Sequence, residues 1–241
     1  MDKRSGSLRL LVPGMILLIS LGCATTKAED KKAASAHFQL GVSYLNDNNI
    51  QPAFVEFQKA LELNPNDKET LNAIGLIYLL KLDDYPKAID FFQRAVRVDK
   101  NFSEGWNNLG FAYEKAERYN DAVAAYKTAL SNLLYQNAYK AFNNLGRTYY
   151  RLGKYSDAVE AYKEAIRRNS DFYLPFYGLA LSYNAVGRYS DAAAALQKFI
   201  ELAPEYKGDR EKARRDLQDK KLIVSSSDEK DIEDLLEIMN Y

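Results

Sequence analysis

The chain has 241 residues, and its 33 Lys and Arg balance 33 Asp and Glu, so the formal net charge is zero. That balance removes a global field toward nucleic acid or an anionic membrane surface, leaving partner choice to a local surface. A single cysteine excludes a disulfide within the chain, and a single histidine, with no carboxylates at ligand spacing, leaves no candidate metal cluster.

The first element is not fold. Lys3, Arg4 and Arg9 precede an apolar run through Leu10–Val12 and Met15–Ile19, which ends in Ser20-Leu21-Gly22-Cys23. A basic stretch, a short apolar stretch and a small-residue exit make residues 1–22 an export signal. At about 13 to 15 apolar or small residues the run is short for a membrane span, which needs roughly 20. Cys23 resembles the acceptor of a bacterial lipoprotein signal, with Gly22 before it. Ser20 stands where that pattern prefers Leu or Ile. Processing with Ala24 as the next residue implies an outer-membrane lipoprotein; failure to process leaves the protein periplasmic or anchored in the inner membrane. Residues 23–33, small and charged, are expected to be the lipid acceptor and a tether, with more than one acyl chain needed for stable anchoring.

From residue 34 the chain repeats at about 34 residues. Gly41, Gly75, Gly110 and Gly146, with Ala180 in the fifth copy, are each followed three residues on by Tyr44, Tyr78, Tyr113, Tyr149 or Tyr183. Further along come Ala53/Phe57/Ala60, Ala88/Phe92/Ala95, Ala122/Tyr126/Ala129, Ala158/Tyr162/Ala165 and Ala192/Leu196/Phe199. Small residues let two helices cross closely, and the aromatic fills the gap between hairpins. The pattern resembles the tetratricopeptide repeat. Its Trp position holds His37, Leu71, Trp106, Phe142 and Phe176, and its terminal Pro survives as Pro65 and Pro204. The resemblance implies an all-α, right-handed superhelix of about five hairpins, at 34–67, 68–102, 103–138, 139–172 and 173–204. One residue is inserted near Asp83–Tyr85 and two within Leu133–Asn137, both expected in turns.

Beyond the repeats, residues 205–222 are highly charged, with Tyr206, Ala213 and Leu217 on a narrow stripe, as a polar capping helix over Phe199 requires. Residues 223–241 read as a linker and an acidic amphipathic tail. Ile232, Leu235, Leu236 and Met239 share one helical face, and Ser227 or Asp228 is placed to cap it. The tail is either loosely packed or docked in a groove, its own or a partner's.

No catalytic constellation emerges. His37 falls at a core position, Asp83/Asp84 and Asp228/Glu229 on turns or solvated faces, and no glycine-rich phosphate loop is present, so neither an enzyme nor a cofactor is expected. The register turns Phe38, Val42 and Leu45 inward, then Asn72, Leu76 and Leu79, then Asn107, Phe111 and Glu114. Asn143, Arg147 and Tyr150 follow, and finally Tyr177, Leu181 and Asn184. Of these, Phe38, Val42, Asn72, Leu76, Asn107, Phe111, Asn143, Arg147, Tyr150 and Tyr177 are the candidate peptide groove. The asparagine amides are suited to a peptide backbone or to ordinary repeat packing, Arg147 to a carboxylate, and Phe38 and Phe111 to apolar anchoring.

An export signal, a lipid acceptor and tandem repeats with an extended turn before the fourth hairpin resemble the type IV pilus biogenesis and stability lipoproteins, the pilotins. That family commonly carries six repeats rather than five and a cap. The resemblance implies a groove that holds a secretin subunit while the lipid at Cys23 carries it to the outer membrane. The alternatives are a lipoprotein scaffold for polysaccharide export, outer-membrane assembly or cell-wall remodelling, and a regulatory subunit of an envelope enzyme.

Overall fold

The structure, a computed structural model, describes residues 14–223 and 226–241; the side chains of residues 14–26 and 226–227 lie outside that description. The described residues form helices and no strand. Five hairpins follow in chain order: α1 (Gly14–Asn46) with α2 (Ile50–Leu63), α3 (Lys68–Leu80) with α4 (Tyr85–Val98), α5 (Ser103–Lys115) with α6 (Tyr119–Leu130), α7 (Ala138–Arg151) with α8 (Tyr155–Arg168), and α9 (Leu174–Ala185) with α10 (Tyr189–Leu202). Two more helices close the chain, α11 (Arg210–Lys221) and α12 (Ser226–Ile238). The helices of each hairpin pack on one another, and the second helix of each packs on the first helix of the next, giving the linear stack of a repeat superhelix.

The glycine of each hairpin is explained by the aromatic of the same hairpin. A Cβ added at Gly41 would lie 2.6 Å from the ring of Phe57, and Gly75 and Phe92 repeat that distance. Gly110 against Tyr126 gives 2.7 Å, and Gly146 against Tyr162 gives 2.8 Å. In the fifth hairpin Ala180 faces a repeat whose aromatic has become Leu196, and both are buried. Each ring thus sits in the notch of its own partner helix, and it also reaches the next hairpin as expected: Phe57 shares a buried cluster with Ala73, Ile74 and Ile77 of α3. Tyr162 does the same, because a Cβ at Gly178 in the next hairpin would fall 2.1 Å from its ring.

The signature tyrosines also end their helices. Backbone N–H groups of Asn49, Arg118, Lys154 and Arg188 donate to the carbonyls of Tyr44, Tyr113, Tyr149 and Tyr183. One residue earlier in each turn the chain is left-handed, with φ of 58° at Asn48 and Glu117, 69° at Gly153 and 75° at Gly187, which is the geometry that terminates a helix on a tight return. In the second hairpin the extra residue shifts this role to Asp83 (φ 50°), and Asp84 donates to the carbonyl of Tyr78. Asp84 also caps α4, accepting from the Lys87 N–H at 3.1 Å, as Asp67 caps α3.

The insertion before the fourth hairpin forms the longer connection 131–137. Tyr135 donates to Glu104 at 2.9 Å, and Asn132 donates to Ser103 at 3.0 Å, leaving Leu133 and Leu134 projecting at 84% and 87% exposure.

The cap is in place. Tyr206, Ala213 and Leu217 are buried, and the Tyr206 ring meets Phe199 edge-on at 5.9 Å. The tail helix begins at Ser226, two residues before the expected start, so Asp228 lies within its first turn. Its Ile232, Leu235, Ile238 and Met239 belong to the same apolar core as the second to fifth hairpins. Leu236, expected on the apolar face, is only partly buried, and Ile238 takes its share.

At the other end α1 runs without a break from Gly14 into the first repeat, so residues 27–33, expected to be a tether, are helical, and all are exposed. The residues read as an export signal lie outside the described residues up to residue 13, and so does the side chain of Cys23. Among the described residues no helix is long and apolar enough to cross a membrane.

Candidate peptide-binding face

The inner face is built by the first helices of the hairpins, α1, α3, α5, α7 and α9, and its chemistry changes along the stack. At the N-terminal end Phe38, Val42 and Leu45 are half-buried against the first core cluster, with the Phe38 ring 5.7 Å from that of Phe57. Leu76 is half-buried, whereas Leu79 is enclosed in the core. Neither phenylalanine singled out by the sequence is free. Phe111 lies between two cations, with Lys115 Nζ at 5.6 Å and the Arg147 guanidinium at 5.4 Å from its ring centre.

The asparagines bond to one another across the hairpins. Asn108 donates to Asn72 at 2.9 Å, and Asn144 donates to Asn107 at 3.3 Å. Asn107 and Asn143 are buried, so the amides of Asn72 and Asn107 form part of a ladder joining α3, α5 and α7. Asn143 lines a cavity described below.

Arg147 finds its carboxylate within the chain. Its guanidinium donates to Glu114 twice, from Nε at 2.5 Å and from Nη2 at 3.0 Å, and the Tyr126 hydroxyl donates to the same carboxylate at 3.1 Å. Burial opposes the charge of Arg147, but the bonds to Glu114 outweigh it and hold the group above its ordinary value. This two-pronged pair joins α5 to α7.

From α7 onward the face is covered by the chain's own tail. The Tyr150 hydroxyl donates to Asp231 at 2.9 Å, and Arg151 donates to Asp228 at 2.8 Å while standing 3.1 Å from Asp231. Asp228, expected on a solvated face, is thus an ion-pair partner. At its far end the tail is held by Tyr241, which donates to Asn184 at 3.1 Å and stacks edge-on against Tyr189. Arg210 donates to the carbonyl of Met239 at 2.7 Å, and Lys221 pairs with Glu233 at 2.6 Å. Helix α12 therefore crosses from the end of α7 to the α9–α10 turn. Burial raises the Asp231 carboxyl above its ordinary value, against the pull of Arg151 and Tyr150. Burial likewise raises the Tyr150 and Tyr177 phenols, with Asp231 adding to both.

Beneath α12 lies a cavity of about 400 Å³ between the fourth and fifth hairpins. Arg147, Tyr150 and Tyr177 line it, as do Tyr162, Tyr173, Gly178, Leu181, Phe199 and Asp231. The structure brings Asn143, Arg147, Tyr150 and Tyr177 to this one place; Phe38, Val42, Asn72, Leu76, Asn107 and Phe111 lie on the earlier hairpins and do not line it. Tyr162 and Gly178 were not expected at a site, because Tyr162 fits the repeat template, and Phe199 was expected only beneath the cap. Gly178 carried the one available signal: a second glycine two residues before Ala180 marks a close approach.

Profiles of the tetratricopeptide repeat match residues 34–67, 56–90, 102–170 and 143–207. The chain is a tetratricopeptide-repeat protein. It is 29% identical over 140 residues to the type IV pilus assembly protein PilF of Pseudomonas aeruginosa, covering 56% of this chain and 54% of that one. The solved PilF structure superposes with a TM-score of 0.66 at 24% identity, over 81% of this chain and 94% of the other. PilW, described as a widely conserved type IV pilus biogenesis factor, gives 0.68 at 19% identity, over 86% and 98%; both superpositions are likenesses of fold. The chain is also 30% identical over 105 residues to a lipoprotein NlpI homolog of Haemophilus influenzae, covering 44% of this chain and 33% of that one. The chain spans about half or less of the length of these curated relatives.

Proposed function

We propose that this protein is a non-enzymatic scaffold of the bacterial envelope that helps place and assemble the secretin of a type IV pilus, carried to the outer membrane by acyl chains on Cys23. The observation that carries the reading is the likeness to PilF, which runs through repeats rather than through a single motif and covers more than half of this chain. The sequence preceding the repeats supports it: a basic and apolar leader ends in Gly22-Cys23. The surface offered to a partner is the inner face of the first three hairpins, where Phe38, Val42, Leu76 and Phe111 are half-buried and, among the described residues, α12 does not lie over them. The NlpI likeness favours a second reading, a scaffold lipoprotein serving another envelope process.

The intact mass of the protein recovered from membranes, beside a Cys23→Ser variant, tests the anchor. Loss of residues 1–22, addition of acyl chains, and release or non-processing of the variant are expected; an unlipidated mass removes the outer-membrane reading. Capture of the secretin subunit by wild-type protein and its loss with Phe38→Ala/Phe111→Ala, at unchanged helicity, tests the partner. Undiminished capture by the variant, or capture of other envelope proteins in place of the secretin, refutes the pilus reading.

A further inference from the structure

We propose that the face made by α7 and α9 is a binding site for an acidic amphipathic helix of a partner protein, and that α12 is its resident occupant within the chain. The proposal rests on reading the stack as a protein-binding scaffold and adds the chemistry of what this end accepts.

The way α12 is held defines what this face accepts. It carries Asp228, Glu229, Asp231, Glu233, Asp234 and Glu237 in thirteen residues; Arg151 and Lys221 pair with its acids, and Arg210 and Arg214 donate to the Met239 carbonyl just past its end. Its apolar face, Ile232, Leu235, Ile238 and Met239, is buried, and the Tyr150 hydroxyl donates to the Asp231 carboxylate. An amphipathic helix laid across a groove, with apolar anchors at i, i+3, i+6 and i+7 and charges at the rim, is a recurrent mode of peptide recognition. A thirteen-residue helix is marginal alone in water, so this one is ordered by the surface beneath it.

The fit is incomplete in one place. Among the described side chains of α12, only Asp231 borders the cavity of about 400 Å³ below it. The Tyr162 side chain lines that cavity at 3% residue exposure, and its hydroxyl has no hydrogen-bond partner among the described residues. That hydroxyl opens onto the cavity, where it can donate to an acceptor on a ligand. A partner helix that repeats the acid and apolar pattern of α12 and adds an acceptor reaching Tyr162 outbinds the tail. Until then the tail, joined to α11 by a few residues, competes at an effective concentration on the order of millimolar.

The test uses the full chain and a labelled synthetic peptide of residues 226–241 as probe. Asp228→Lys/Asp231→Lys in the chain's own tail sets like charges against Arg151 and frees the face. Fluorescence anisotropy is expected to show the peptide binding this variant at least tenfold more tightly than wild type, and Arg151→Glu in the same chain is expected to remove the gain. Equal binding to wild type and variant, or binding indifferent to Arg151→Glu, overturns the proposal. Should the tail variant fold poorly, hydrogen exchange on the wild-type protein decides: α12 amides must exchange through an opening separate from, and faster than, that of α9. Protection of α12 equal to that of α9 makes it an integral part of the core and refutes the idea. Neither measurement involves a pilus protein, so the secretin reading and this one fail independently.

Discussion

Substituting Gly146 by alanine sets two effects of similar size against each other, and the structure says which wins. In the middle of α7, replacing glycine by alanine gains about 1 kcal/mol of helix propensity. The new Cβ, however, would stand 2.8 Å from Cδ1 and Cε1 of Tyr162 and 3.0 Å from Cγ, against a ring that is 3% exposed. Retreat of that ring toward the next hairpin is blocked, because it also fills the space over Gly178. Overpacking of this kind costs about 1–3 kcal/mol, so Gly146→Ala should lower stability by about 1 kcal/mol net, or roughly 2–4 °C in Tm for a chain of this size. The fifth hairpin supplies the control, since Ala180 there faces Leu196. Tyr162→Leu alone should cost about 2 kcal/mol by leaving a void, and the double variant, which copies the fifth hairpin, should recover about 1 kcal/mol or more relative to the sum of the two. Urea unfolding followed by circular dichroism, with the slope checked for constancy, reads all four corners of the cycle. If Gly146→Ala raises stability by the full propensity term, or if the two changes simply add, the glycine is not there to admit the ring.

Glu114→Gln breaks the two-pronged pair with Arg147 and weakens the acceptor for Tyr126; with the Arg147 side chain 38% exposed, the loss should be about 2 kcal/mol rather than the larger cost of a fully buried pair, read from the same unfolding curves. Arg147→Glu sets a second carboxylate against Glu114 and should fall at least as far, so that variant reports stability and not peptide binding. Asn108→Ala leaves Asn72 without its donor and should cost about 1 kcal/mol, with no further loss when Asn72→Ala is added. The two ends should answer acid in opposite ways. Glu56 is depressed by its bonds to Lys59 and then His37, so its contribution is present above the ordinary carboxylate value and lost as pH falls through the depressed one. Asp231 is raised by burial, so docking of α12 gains as pH falls toward the ordinary carboxylate value and loses that gain as pH rises through the raised one. Hydrogen exchange between about pH 4 and 7, corrected for intrinsic rates, should show α12 protection relative to α2 rising on acidification; the reverse order refutes the assignment.

The repeat was legible because its residues answer to local geometry. A tyrosine whose carbonyl closes a turn, and a glycine whose notch receives a ring sixteen or seventeen residues on, recur wherever the hairpin recurs, so alignment of the sequence with itself finds them. The turn insertions near Asp83 and Leu133 were legible for the same reason, as departures from a fixed spacing. What escaped was pairing between hairpins. Asn72 and Asn108 are 36 positions apart, Glu114 and Arg147 are 33 apart, and Tyr150 and Asp231 are 81 apart. Periodicity places each of these on a face but does not say whether its partner is in the chain or outside it.

That is why the polar half of the expected groove changed meaning. An asparagine facing inward at the same place in three hairpins is suited equally to a peptide backbone and to its neighbour one hairpin away, and Asn72 and Asn107 take the neighbour. Arg147 was matched to a ligand carboxylate when Glu114, already placed on the same face, was nearer. The acidic tail could have been matched to Arg151 by charge alone, yet only the fold shows that the end of α7 and the α9–α10 turn lie one helix length apart. The face left for a partner is then divided: an apolar stretch over the first three hairpins that no described segment of the chain covers, and a basic stretch over the last two that the chain covers with an acidic helix. A ligand spanning both must displace α12, whereas a ligand confined to the first need not, and the dependence of binding on Arg151 tells the two apart.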